Sequence, residues 1–389
     1  MGQLSQFQAA KLVKRIVCGL TLSLMAISLL ANSVSHAQKN TRQKPKPRQT
    51  SSTSPTSLQT LGPPPPVPQL VKKPAPPEKE PEINVGDVIS VETSEVMIPV
   101  TVRDSSGRLV SDLKRNDFRV FEDGSAQPLS DLELRQVPVD VALMVDASSS
   151  VASKLDDFRK AAEGFAARLA ADDRLSLIKF DDRVELLLDW TKSRFQLHRA
   201  LNRVEPGMFT RFNDALFLAS RDQFAAAAKS RRALIILTDG IDSGRGTTSL
   251  ETALHALLQA QVTVYVVSNT QISRAEKLNE LDALTNGGSA RFNQLRIDDL
   301  REGIRVLDQS ENNLAQLTAA TGGRLFKPLS FAALESTYAE VADELRHQYA
   351  IYYTPLNKTR DGGFRRVKVE TANPSFRSQT RVGYFAPKT

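Results

Sequence analysis

Two runs of apolar residues in the middle of the chain indicate strands that are buried on both faces. Residues 141–145 and 233–237 contain no polar residue, and each run is followed closely by an aspartate, Asp146 or Asp239. A strand with one solvated face alternates apolar and polar residues, whereas a strand covered on both faces does not. The two runs therefore predict strands of a parallel sheet with an acidic residue at each carboxyl end.

The region from residue 138 to residue 347 alternates between strand and helix patterns. Phe158, Ala161 and Phe165, for example, lie at helical spacing. The pattern predicts strands at 175–180, 184–188, 262–267 and 324–326, and helices at 155–169, 215–228, 250–258, 312–320 and 334–345. Residues 270–310 are less regular. The alternation predicts an α/β domain with a doubly wound, mostly parallel sheet and helices on both faces.

The segments on either side of this domain read as short strands separated by turns. Residues 84–137 and 348–389 are each too short for a complete sandwich. We expect them to pair into one small β-sandwich, although two separate accessory segments remain an alternative. Pro99 lies inside the first strand and predicts an edge position, because proline cannot donate a ladder hydrogen bond.

The first 37 residues have the pattern of a secretory signal peptide. Lys11, Lys14 and Arg15 precede an apolar stretch at residues 16–31, and small residues suit cleavage after Ala37. We expect export by a bacterial Sec-type route to the periplasm, the cell surface or the medium. An uncleaved membrane anchor is the alternative. The single cysteine, Cys18, lies within the signal, so the mature chain would have no cysteine nucleophile or cysteine zinc site.

Residues 38–83 have the composition of a disordered linker. They hold twelve of the twenty prolines, with eight Lys and Arg residues against three Glu. Of the formal charge of +7, the signal contributes +3 and this linker +5, which leaves about −1 for the rest. The folded part therefore has no global basic footprint for nucleic acid. We expect membrane contact only through the signal segment or the basic linker.

Polar oxygen donors cluster after the two buried strands. Asp146, Ser148 and Ser150 occupy alternate positions after the first strand, and Asp239 follows the second. Ligands bind at the carboxyl ends of strands in open α/β sheets, and carboxylate and hydroxyl oxygens suit a hard divalent cation. Alternatively, the serines cap a helix and Asp239 lies in an ordinary turn.

These residues resemble the metal-ion-dependent adhesion site of von Willebrand factor A domains. The resemblance rests on Asp146-x-Ser148-x-Ser150, on Thr210 within residues 209–215, and on Thr238-Asp239-Gly240. Phe209 departs from the family pattern, which has a glycine there. Weaker motifs extend the resemblance over residues 84–389 to bacterial VWFA-related proteins first grouped from Acidobacteria. The resemblance implies that a divalent cation, most simply Mg²⁺ with Mn²⁺ or Ca²⁺ as alternatives, is held by Asp146, Ser148, Ser150, Thr210 and Asp239.

The same resemblance implies that the cation receives a carboxylate from an acidic residue of a protein partner. The sequence has no Gly-x-Ser-x-Gly elbow, no His-Glu-x-x-His motif and no phosphate-binding loop. We therefore expect an exported, non-catalytic protein-binding module for adhesion or envelope assembly. Two alternatives are a metal-dependent hydrolase or transferase of the cell envelope, and a structural envelope protein with a vestigial metal site.

Overall fold

The computed structural model describes residues 95–134, 137–149, 154–225, 230–286 and 293–388. The expected signal peptide at residues 1–37, the expected linker at residues 38–83 and the candidate ligand Ser150 lie outside these ranges. Among the residues described, no helix has the length and apolar character needed to span a membrane.

The described residues form fourteen strands and seven α-helices. In chain order the strands are β1 (Val96–Arg103), β2 (Phe118–Glu122), β3 (Ser125–Gln127), β4 (Leu129–Leu134), β5 (Val139–Asp146), β6 (Arg174–Phe180), β7 (Val184–Thr191), β8 (Arg231–Thr238), β9 (Thr263–Ser268), β10 (Leu325–Phe326), β11 (Tyr349–Tyr353), β12 (Phe364–Thr371), β13 (Arg377–Gln379) and β14 (Gly383–Phe385). The helices are α1 (Leu155–Arg168), α2 (Arg194–Leu201), α3 (Phe212–Leu218), α4 (Leu250–Gln259), α5 (Thr270–Asn286), α6 (Gln294–Thr321) and α7 (Leu334–Arg346). A π-helical turn, Ala219–Gln223, extends α3.

The central sheet has the strand order β10-β9-β8-β5-β6-β7, with every pair parallel except β6 and β7. Val141, Leu143 and Val145 of β5 pack against α1, α2 and α7, whereas Ala142 and Met144 pack against α3, α4 and α6. Both faces of β5 are therefore covered by helices, which explains its uninterrupted apolar run. The predicted doubly wound α/β fold is confirmed.

The strands outside the α/β domain form two four-stranded sheets, β13-β1-β11-β4 and β14-β12-β2-β3. Ile98 and Ile351 of one sheet share a buried apolar core with Val120 and Val367 of the other. Each sheet contains strands from before and from after the α/β domain, so the prediction of one sandwich built from both segments is confirmed.

The prediction that Pro99 marks an edge strand is wrong. Strand β1 lies between β11 and β13. The missing N–H is tolerated because pairing with β13 begins only at Thr101. The Pro99 carbonyl accepts a hydrogen bond from the Thr380 hydroxyl over 2.8 Å.

Residues 270–310, whose sequence pattern is less regular, are mostly helical, because α5 and α6 cover most of this stretch. The two helices pack antiparallel and are joined by ion pairs, among them Arg296–Glu280 and Arg274–Asp308. In α5 only Thr270 and Ile272 are buried. Its polar surface lacks the apolar period that reveals a helix in sequence.

One buried arginine holds both connections between the sandwich and the α/β domain. Arg231, at the start of β8 and only 5% exposed, donates from Nε and Nη2 to the Val137 carbonyl over 3.1 and 3.0 Å. Its Nη1 donates to the Leu345 carbonyl over 2.7 Å and reaches the Gln348 carbonyl at 3.5 Å. The chain enters the α/β domain at Val137 and leaves it at Leu345, so one guanidinium bridges both crossings.

Candidate metal centre

Asp146 is the last residue of β5, and its carboxylate is oriented by hydrogen bonds to both oxygens. The residue is 1% exposed. Oδ1 accepts from the Ser148 amide over 3.0 Å, and Oδ2 accepts from the Thr238 hydroxyl over 2.8 Å. Thr238 is the last residue of β8, the strand that pairs with β5. The two strand ends are thus joined through their side chains.

Asp239 follows Thr238 directly and is held by a tight turn. Its Oδ1 accepts from the Ile241 amide over 3.0 Å, and the hydroxyl of Ser310 on α6 donates to its carbonyl. Gly240 has a φ of +71°, and a Cβ at this position would lie 2.8 Å from Leu314. Glycine is required here both for the left-handed backbone conformation and for the close approach of α6.

The two carboxylates disfavour each other's ionisation. Burial and the neighbouring charge of Asp239 raise the pKa of Asp146 to about 7. Burial likewise raises the pKa of Asp239, and the ammonium of Lys277 on α5 only partly opposes this effect. A bound divalent cation would neutralise both charges, so the electrostatics of the pair fit a hard metal ion.

The loop that carries Thr210 is tied to both strand-end loops. The Gly207 amide donates to the Ala147 carbonyl over 2.8 Å. Thr210 donates from its amide to the Ser243 hydroxyl over 2.8 Å, and the Ser243 amide donates back to the Thr210 carbonyl over 2.9 Å. Thr210 is 7% exposed and Ser148 is 4% exposed. Three loops thus bring Asp146, Ser148, Thr210 and Asp239 to one edge of the sheet.

The donor set consists of hydroxyl and carboxylate oxygens, which hard divalent cations prefer over softer metals. Within the described ranges, no three His, Cys, Asp or Glu side chains converge as a metal-binding group. The site instead combines two carboxylates with hydroxyl groups. Sequence reasoning did not assign roles to Thr238 and Ser243. Thr238 entered the sequence analysis only as part of the Thr238-Asp239-Gly240 motif.

Three charged residues that were not among the candidate ligands are held beside the site. Asp214, 2% exposed, accepts from the Thr247 and Thr248 amides over 3.1 and 3.0 Å and pairs with Arg211. Asp242 accepts from the Asn213 amide over 3.0 Å. Arg211 and Asp242 are therefore not simply solvated surface residues. Their contacts fix the path of the Thr210 loop, as residues that support metal ligands do.

Phe209, where the family pattern has glycine, is covered by a cation. The guanidinium of Arg245 lies 3.5 Å from the centroid of its ring. The next residue towards the amino terminus, Met208, is 71% exposed. The rim of the site beside Thr210 thus combines apolar surface with positive charge.

A family model of the von Willebrand factor type A domain matches residues 140–309. An uncharacterized protein of Synechocystis sp., sll0103, is 32% identical over 111 residues, which cover 27% of this chain and 26% of the relative. The match thus spans about a quarter of that relative.

Two solved structures are among those to which the chain is similar. The von Willebrand factor type A protein of Catenulispora acidiphila is 11% identical, with 77% of this chain and 76% of that chain covered and a TM-score of 0.41. Proximal thread matrix protein 1 of the mussel byssus, solved with a zinc-occupied adhesion motif, is 17% identical, with 57% and 48% covered and a TM-score of 0.40.

The family match begins in β5, which carries Asp146, and ends in α6, which supports the Asp239 loop. Domains of this family commonly serve in protein interaction and adhesion. The family match and the doubly wound sheet identify residues 140–309 of this chain as a von Willebrand factor type A domain.

Proposed function

We propose that this chain is an exported, non-catalytic module that binds a protein partner through a divalent cation. The principal candidate for this cation is Mg²⁺, with Mn²⁺ and Ca²⁺ as alternatives. The proposed ligands are the candidate residues Asp146, Ser148, Ser150, Thr210 and Asp239. Bound there, the cation supplies a positive centre with a coordination position for a carboxylate from an acidic residue of the partner.

The observation that carries this proposal is the pair formed by buried Asp146 and half-buried Asp239. Both pKa values are raised, which means that the pair is destabilised without a counter-charge. Two carboxylates balance one divalent cation and leave no excess negative charge to repel a third carboxylate. This charge balance favours capture of an acidic residue from outside the chain.

Export follows from the signal-like pattern at residues 1–37, with Gln38 as the proposed first residue of the mature protein. Residues 38–83 then act as a spacer between the domain and its point of attachment or release. A partner in the cell envelope would be accessible to a domain placed in this way.

Calorimetric titration with Mg²⁺ and Mn²⁺ tests the metal site. Asp239→Asn should abolish binding at concentrations that saturate the wild type. The matched control is Asp172→Asn, because Asp172 is exposed and lies before β6, at the amino end of the sheet. The control should bind as the wild type does. Equal affinity in wild type and Asp239→Asn would refute the metal site.

The proposed binding of a protein partner is tested by passing envelope extract over the immobilised protein. Retention of a partner in Mg²⁺, its release by chelator and its loss in Asp239→Asn are expected together. Retention that is equal with and without chelator would show that binding does not use the cation.

A further inference from the structure

A cavity of about 510 Å³ is lined by residues of the β-sandwich, including its carboxyl-terminal strand, and by Gln261, which precedes β9. We call it the sandwich cavity. Its apolar wall is built from Val96, Pro355, Tyr384, Phe385 and Pro387, and Lys358 contributes a positive charge to its lining. It lies outside the metal centre and shares none of its residues.

The walls of the sandwich cavity are fixed by contacts behind them. The Tyr384 hydroxyl donates to Glu122 over 2.8 Å, so the ring is held from within the sandwich core. The ring of Phe385 lies 5.1 Å from that of Phe364 and 4.3 Å from that of His255, measured between centroids. The Ala386 amide donates to the Gly363 carbonyl over 2.9 Å. A ligand therefore meets aromatic surfaces that are already ordered.

The described part of the chain begins at this cavity. Glu95, the first residue described, belongs to the cavity lining and accepts from the Ser130 hydroxyl over 2.5 Å. The thirteen steps from Glu82 to Glu95 span up to about 45 Å when extended. The segment 74–82, with the sequence Pro-Ala-Pro-Pro-Glu-Lys-Glu-Pro-Glu, can therefore fold back to the cavity.

The chemistry of residues 74–82 complements the cavity. Proline-rich segments adopt polyproline II and bind aromatic-lined grooves with little loss of entropy. Glu78, Glu80 and Glu82 carry negative charges that complement the exposed, positively charged Lys358. The tether raises the local concentration of the segment to the millimolar range, so a weak contact is sufficient.

We propose that the sandwich cavity binds residues 74–82 of its own chain. This contact would anchor the last part of the proline-rich linker on the sandwich. The part of the linker that precedes residue 74 would then extend from the cavity.

Disulfide trapping in the full chain tests the proposal. In a Cys18→Ser background, Ala75→Cys is combined with Asn357→Cys in the cavity, or with Asp131→Cys as a control, so that the charges of the glutamates and of Lys358 are kept. Asp131 is exposed and neighbours Ser130, which bonds Glu95, so it lies near the tether but outside the cavity lining. The cavity pair should form an intrachain disulfide at least about tenfold faster than the control pair.

A change confined to the linker separates docking from mere proximity. Pro76→Gly with Pro77→Gly leaves the cavity intact and should lower the trapping rate of the cavity pair to that of the control. Equal rates for the two pairs, or a cavity rate unaffected by the glycines, would overturn the proposal. Disulfide-linked dimers in place of crosslinked monomers would also overturn it, because they would assign the segment to a second copy.

Discussion

The hydroxyl of Thr238 donates to Oδ2 of Asp146 over 2.8 Å, and both residues are almost completely buried. The same hydroxyl accepts from the Gly240 amide over 2.9 Å. Thr238 therefore fixes the carboxylate at the end of β5 and also the turn that presents Asp239. A residue that is not itself a candidate ligand sets the relative position of the two acidic ones.

Replacing Thr238 should weaken metal binding without touching a proposed ligand. Thr238→Val keeps the shape but leaves a buried carboxylate oxygen without its donor. We expect about a tenfold or greater loss of Mn²⁺ affinity and a destabilisation of about 1–3 kcal/mol. Thr238→Ser retains the hydroxyl and should stay near wild type. Calorimetry and urea unfolding measure the two effects, and equal behaviour of the Val and Ser variants would contradict the role of the hydroxyl.

Metal affinity should rise with pH across neutrality. The pKa of Asp146 is raised to about 7, so below that pH a proton competes with the cation. Each pH unit below 7 should weaken Mg²⁺ binding by about tenfold, and the affinity should level off above it. Titrations between pH 5.5 and 8.5 check this dependence, and an affinity that is flat over this range would exclude competition by that proton.

The stability of the chelated protein should show the opposite trend. The pKa of Asp146 is higher in the folded than in the unfolded chain, so its contribution to stability is greatest at low pH. It is lost as the pH rises from about 4 to about 7. In chelator at pH 8, Asp239→Asn should raise stability by about 1 kcal/mol, or roughly 2–4 °C in melting temperature. A lower melting temperature for this variant would show that the two carboxylates do not repel each other.

Gly240 and Gly244 provide a matched pair for the turn at the metal centre. Both have positive φ, +71° and +67°, but only a Cβ on Gly240 would meet Leu314, whereas the space around Gly244 is open. Gly244→Ala should cost about 1 kcal/mol from backbone strain alone. Gly240→Ala should cost about 2–4 kcal/mol, since overpacking against α6 is added. Urea unfolding compares them, and equal losses would mean that α6 yields without cost.

Arg231 should be among the buried residues whose replacement lowers the free energy of unfolding most. Arg231→Met leaves the buried carbonyls of Val137 and Leu345 without a donor, so we expect a loss of about 3 kcal/mol or more. Arg199→Met, at an exposed position on α2, should change stability by less than about 0.5 kcal/mol. A loss below about 1 kcal/mol for Arg231→Met would show that water or other donors replace the guanidinium.

The sequence by itself determined the parts of the protein that depend on local pattern. The apolar runs ending near Asp146 and Asp239 identify strands covered on both faces, because only such strands lack alternation. Parallel strands end at the same edge of a sheet, so the positions of these residues and of Ser148 at one edge follow directly. The sandwich could be inferred in outline, since neither flanking segment is long enough to bury a core alone.

Tertiary structure alone decided the contacts between residues that are distant in the chain. Thr238 reaches Asp146 across 92 residues, and Arg231 reaches Val137 and Leu345 across 94 and 114. Hydrogen bonds of this kind leave no periodic signal, because each depends on the mutual placement of whole strands and helices. The polar helix α5 was not predicted for a related reason. It is joined to α6 by ion pairs and has no apolar stripe that the sequence pattern could reveal.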